Sequence, residues 1–215
     1  MRYISIIVLF ISVISCRQAY VNIVPDDLPK NSKSVQVRLI DSLGVITLSI
    51  PNRYDTNFSW THYSDCGKPC NYQKYRFQPT SFLIFKESGF IWKQPKGFVD
   101  RLTISHSGYF PFHDGDSTSI FTGHNHFLEM VKTDPIYPPI IFDTIQKIND
   151  RYFSIIAMER SDSLQARTVL ATTTIKNNYI DFDYELLTSK NDSIANIFIK
   201  NALQIIKTIR IEKGM

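Results

Sequence analysis

The chain has 215 residues, 43% hydrophobic and 13% aromatic, which excludes a disordered polymer and allows one sizeable core. Its 24 Lys and Arg exceed 20 Asp and Glu by only four, with no basic run, so nothing marks a nucleic-acid partner.

The first residues read MRYISIIVLFISVISC: Arg2, then an apolar run from Ile4 to Ile14 broken only by Ser5 and Ser12. A membrane-spanning helix needs about 20 residues, so the run is too short to span and has the length of a secretory signal core. The Val13-Ile14-Ser15-Cys16 that follows resembles a bacterial lipobox. That resemblance implies that residues 1–15 are a lipoprotein signal peptide and that Cys16 carries the lipid. Acyl chains, at about 0.8 kcal/mol per buried methylene, hold such a protein on a membrane without a spanning helix. Arg17 is not the aspartate that this class uses for inner-membrane retention, and Asp26-Asp27 lies far from Cys16 for a surface-export signal. The implied place is the bacterial cell envelope, anchored in the outer membrane and facing the periplasm, with surface exposure as the other arrangement. Residues 16–33, rich in Pro, Asn, Asp and Ser, read as a flexible tether, and 34–215 as a single α+β domain.

Within that domain VQVRLID and VITLSI form a first predicted hairpin, closed by Pro51, which cannot donate to a ladder. FSWTHYS and YQKYRFQ alternate polar with apolar or aromatic residues on either side of Cys66-Gly67-Lys68-Pro69-Cys70, predicting a second hairpin. SFLIFKE, RLTISHS and NHFLEMVK are further predicted strands, with a long loop between Gly108 and Gly123. PPIIFDTIQKINDR is expected to hold a short helix after its prolines. YFSIIAMER, ARTVLATTTIK and YIDFDYELLT read as three strands, the last two joined at Asn177-Asn178, which tolerate the positive φ of a tight turn.

In NDSIANIFIKNALQIIKTI the residues Ile194, Ile197, Phe198, Ala202, Ile205, Ile206 and Ile209 recur at helical spacing. Asn191 or Asp192 is the expected N-cap, and Lys207 and Arg210 suit the end of the macrodipole. The fold class expected is α+β: an antiparallel sheet of hairpins with a long C-terminal amphipathic helix packed on one face. GVITLSIPNRYD, FDYELL and IKTIRI resemble the PsbP-type α/β sandwich, although that family places a helix where Phe58-Ser59-Trp60 here reads as strand. That resemblance implies a docking or ligand-binding role rather than catalysis.

Cys66 and Cys70 have three residues between them, whereas dithiol catalysts use two and place the thiolate at a helix N-terminus. Strand alternation follows this pair, and Cys16 is taken by lipid, so the pair is expected as a disulfide across a turn. Metal binding and redox exchange are the alternatives. All five histidines, His62, His106, His113, His124 and His126, fall in one window. If His124-Asn125-His126 lie on a strand, both imidazoles share a face, and His106, His113, Asp114 or Asp116 can add a third ligand for zinc or copper. HNHFLE also resembles part of a cupin metal motif, but Glu129 comes a residue early and the glycine-rich flanks are missing.

Trp60, Tyr63, Tyr72, Tyr75, Phe77 and Trp92 can build a sugar-stacking surface or pack across strands. Asp41-Ser42-Leu43, Asp143-Thr144-Ile145, Asp162-Ser163-Leu164 and Asp192-Ser193-Ile194 resemble the short O-glycosylation motif of Bacteroidota. There is no Gly-x-Ser-x-Gly elbow, no phosphate-binding glycine loop and no His-Glu-x-x-His. No catalytic residue is assigned and no cofactor is expected. The expected function is a membrane-anchored, non-enzymatic binding or assembly module, its partner an envelope protein or a small-molecule ligand. The alternative is a metal-binding protein or metal-dependent enzyme built on the histidines of residues 106–126.

Overall fold

The computed structural model describes residues 30–40, 43–67, 70–88, 97–107, 117–176 and 178–212. Cys16 and its lipobox, His113, Asp114, Asp116 and Trp92 lie outside them. The described residues form two antiparallel sheets and two helices, an α+β fold.

Strands β1 (Ser32–Arg38) and β2 (Val45–Pro51) make the first expected hairpin, and β10 (Arg210–Glu212) adds to the free side of β2. The larger sheet has seven strands in the order β3-β4-β5-β9-β8-β7-β6. Its strands are β3 (Thr56–His62), β4 (Tyr72–Gln78), β5 (Val99–Ser107), β6 (Ile140–Ile148), β7 (Arg151–Ser161), β8 (Gln165–Ile175) and β9 (Asn178–Thr188). Two meanders, β3-β4-β5 and β6-β7-β8-β9, meet where β5 pairs with β9. Helix α1 (Ser117–Thr133) carries the chain from β5, inside the sheet, to β6 at its edge.

Side chains alternate between the faces of a strand, so each face of the large sheet has its own chemistry. One face presents Leu102, Ile104, Phe153, Ile155, Ala157, Val169, Ala171, Ile180, Phe182 and Tyr184 to the main core. Helix α2 (Ser193–Lys207) and the small sheet close over it with Phe198, Ala202, Ile205, Ile206, Ile46 and Leu48. On the opposite face α1 packs Val131, Phe127 and Leu128 against Ile156 and Met158 of β7. The interior of β7 is therefore buried on both sides, which is why YFSIIAM reads as a continuous apolar run.

Asp192 caps α2 as expected, accepting from the Ile194 amide at 2.9 Å. The helix is shorter than its apolar periodicity suggested: it has 15 residues, Thr208 is its C-cap, and the chain leaves it for β10. Ile197, expected on the apolar face, is exposed.

Three expectations are corrected. NHFLEMVK is helix, not strand, and the loop expected up to Gly123 gives way to α1 at Ser117. The short helix expected in PPIIFDTIQKINDR is β6, whose turn into β7 has positive φ at both Asn149 and Asp150. Positive φ at two central residues matches the twist of a hairpin, and Asn and Asp tolerate it. SFLIFKE forms no strand: its carbonyls accept instead from Arg76, Gln78, Trp60 and His62 at the sheet surface. The β8–β9 turn has positive φ at Lys176, one residue ahead of the expected pair, and Asn177 lies outside the described residues.

Candidate functional site

The face that carries α1 is polar along its middle. Register places Lys74 of β4 beside Ser105 of β5, Ser105 beside Asp181 of β9, Asp181 beside Thr172 of β8, and Thr172 beside Ser154 of β7. The next row runs Arg76, Thr103, Asp183, Leu170, Ile156. Alternation in YIDFDYEL does this: Ile180, Phe182 and Tyr184 turn to the core, so Asp181, Asp183 and Glu185 form a stripe on the other face.

Two covers leave part of this surface open. The segment before residue 89 lies over β3 and β4, where Trp60 Nε1 donates to Glu87 O at 2.9 Å and Arg76 donates to Phe85 O at 2.8 Å. Helix α1 lies over β7 and β8. Beside α1, over β8, β9 and β5, is a cleft of about 470 Å³. Ile120, Phe127, Met130, Ile156 and Leu170 give it an apolar wall, and Asp181, Asp183, Ser105 and Thr172 a polar floor. That is the size and mixture of a small-molecule pocket.

The charges on this face do not cancel. Lys74 pairs with Glu87, Arg76 lies 3.7 Å from the same carboxylate, and Arg101 pairs with Glu185 at 2.5 Å. Burial, with Arg101 nearby, brings Arg76 down to about 10, opposed by Glu87. Asp181 accepts from Thr172 Oγ1 at 2.8 Å; burial still raises its pKa, with Thr172 and Lys74 acting against the rise. Asp183 is raised well above the ordinary carboxylate value, first by burial and then by Glu185, with Arg101 opposing. Its Oδ1 is shut off from solvent and has no hydrogen-bond partner among the described residues. Among the described residues these three cations pair with Glu87 and Glu185, Asp181 has the Thr172 hydroxyl, and Asp183 Oδ1 has no donor.

His124 sits at the other end of the cleft. Its Nδ1 lies 2.8 Å from Ser154 Oγ and its Nε2 3.4 Å from Asp143 Oδ2, while burial lowers its pKa despite Asp143. The order Asp143–His124–Ser154 matches a nucleophile with its base and orienting acid. Ser154, however, is 7% exposed in the interior of β7, which is paired with β6 and β8 on its two sides. Its neighbours' amides belong to ladders, whereas an oxyanion needs preorganised free donors. What the arrangement accomplishes is to fix α1 on the sheet through one fully engaged imidazole.

The expectation that His124 and His126 share a sheet face is overturned by the helix. Two residues are about 200° apart around a helix, so His124 points into the sheet while His126 is exposed at the cleft. His106 is buried on the other face, stacked on Tyr75 at 5.9 Å, and His62 lies 3.2 Å from Glu87 O. Glu129 is exposed on α1. Among the described residues no three His, Cys, Asp or Glu converge as metal ligands.

The aromatic set is also split. Trp60 is buried under the Arg76 guanidinium at 4.7 Å, Phe77 and Tyr75 belong to the core side, and Tyr63 and Tyr72 are exposed. Cys66 and Cys70 lie within bonding distance at the tip of the β3–β4 hairpin, Cα atoms 5.8 Å apart, inside the range a disulfide spans. Gly67, with φ +88°, makes the turn that brings them together. Ser154, Asp181 and Asp183 carry no sequence motif and Asp143 stands only in a glycosylation-like tripeptide, although the alternate acids of IDFDYEL carry a readable period-two signal.

No protein-family model matches the chain, and no curated protein matches it. A crystal structure from Bacteroides thetaiotaomicron VPI-5482 is similar at 12% identity and a TM-score of 0.38. The match covers 78% of this chain but only 45% of that one, and bears no functional argument.

Proposed function

We propose that this chain is a lipid-anchored protein of the bacterial envelope whose folded body is a non-enzymatic binding module. It takes a small amphipathic ligand in the cleft beside α1. One observation carries the binding reading: a 470 Å³ cleft in which an apolar helix wall meets a floor of half-buried carboxylates and hydroxyls. The anchor rests on Cys16 and the apolar run before it. No helix among the described residues is long and apolar enough to cross a membrane, so the lipid is the membrane contact in this reading. Orientation toward the periplasm from the outer membrane belongs to the same proposal.

The test uses n-hexanol as a neutral probe and the chain lacking residues 1–16. Saturation-transfer NMR is expected to show transfer to the alkyl protons. Leu170→Trp, which fills the cleft, is expected to abolish it. Equal transfer in that variant refutes the site.

A second reading, acyl transfer at Ser154, has the hydrogen-bonded order of Asp143, His124 and Ser154 in its favour. It ranks lower because Ser154 lacks exposure and a donor pair beside it. Zinc or copper on His124 and His126 requires His124 to release Ser154 or Asp143, and is not the reading proposed.

A further inference from the structure

We infer that the ligand of this cleft is a monocation, a primary ammonium on an aliphatic or aromatic body, seated with its charge at Asp183 and Asp181. The inference rests on the binding reading above and adds the ligand's chemical class. Lys74 and Arg101 are held by Glu87 and Glu185, and Arg76 is spent on Thr103 Oγ1, Phe85 O and Glu87. Asp181 has one hydroxyl donor, from Thr172. Asp183 has an Oδ1 withdrawn from water with no donor among the described residues. A buried acceptor in that condition is costly, more so if it is charged. Burial first and Glu185 second raise the Asp183 pKa, so this carboxylate holds a proton more tightly than an ordinary one.

A ligand ammonium can replace that proton. It brings three donors and no acceptor, which suits a floor of carboxylates and hydroxyls. Alternate residues on a strand are about 6.6 Å apart, so one ammonium fits between Asp181 and Asp183. An anionic head would meet the carboxylate stripe. The apolar body then lies along Ile156, Leu170, Phe127 and Met130. From the helix side, the groups facing this charge are His124, kept neutral by burial, and the exposed His126.

The test is calorimetry on the whole acylated chain in detergent, with detergent-only blanks, using n-hexylammonium and n-hexanol at pH 7. Hexylammonium is expected to bind at least tenfold more tightly than hexanol. On the acid side of the Asp183 transition its heat should change with the ionisation enthalpy of the buffer, showing a proton released on binding. Affinity should fall up to tenfold per pH unit on the acid side of the Asp183 transition, and Asp183→Asn should reduce hexylammonium to the hexanol level. Hexanol and hexylammonium both failing to bind overturns the cleft reading itself. Hexanol binding with hexylammonium no tighter, or tighter binding without proton release and unaffected by Asp183→Asn, overturns the charge assignment alone.

Discussion

Asp183→Asn tests the electrostatics of the cleft without any ligand. The folded chain holds the Asp183 pKa well above its ordinary 3.8, by burial first and Glu185 second. A raised carboxyl adds stability in full below pH 3.8, where both states are protonated at this site. That contribution is lost as pH rises through the folded value, because the folded chain must give up a proton it holds more tightly. Between the two values the loss is about 1.4 kcal/mol per pH unit, the slope of one proton bound in excess. Asparagine has the shape of the neutral acid and does not titrate. The variant should therefore match the parent near pH 4 and gain on it as pH rises, until the folded Asp183 value is passed. Urea unfolding at half-unit intervals measures this gain, and taking the difference removes titrations common to both chains. Asp181 is not wholly common, since its charge raises the Asp183 pKa, so Asp181→Asn and the double variant complete the set. A stability difference that is flat from pH 4 to 8 refutes the protonated, unpartnered Asp183 on which the ligand class depends.

Three further outcomes follow from the same structure. Ser154→Ala leaves His124 Nδ1 without its partner under α1 and should cost about 1–3 kcal/mol in urea unfolding. It should leave any p-nitrophenyl acetate turnover unchanged, and loss of turnover would restore the acyl-transfer reading. Because burial lowers the His124 pKa below 6.5, its contribution is present above pH 6.5 and lost as pH falls through the folded value; His124→Gln should remove that acid-side loss. The Cys66→Ser/Cys70→Ser double variant should lose about 2 kcal/mol, the chain-entropy value for so small a loop. Unreduced parent protein should show no free thiol from this pair, and two reactive thiols would refute the bond.

Local signals were legible in the sequence, and relations between distant segments were not. Strands β8 and β9, and the hairpin around Cys66 and Cys70, follow from strand patterning and turn residues alone, whereas β6 is read as helix. The failures occurred where two periods fit the same letters. HNHFLEMV alternates well enough for a strand, yet Ile120, His124, Phe127 and Val131 recur at four, three and four residues, which is a helix. SFLIFKE has the composition of a strand, but β4 already pairs with β3 and β5. Its carbonyls go to side chains of that sheet instead, and Leu83 and Ile84 are left exposed.

The cleft lay beyond such reading because it belongs to the β5–β9 pairing, the one that joins the two meanders. Arg101 meets Glu185 across 84 residues of chain, and His124 meets Ser154 across 30. An acid stripe read from IDFDYEL alone is most simply a solvated strand face. It becomes a site only when β5 supplies Ser105, Thr103 and Arg101 on one side, and α1 excludes water on the other. Burial is what turns the stripe from ordinary surface charge into a carboxylate that holds its proton more tightly than usual. The histidine window lies partly on the helix that walls the cleft: His124 fixes that wall through Ser154, and the buried carboxylates sit opposite it, on β9.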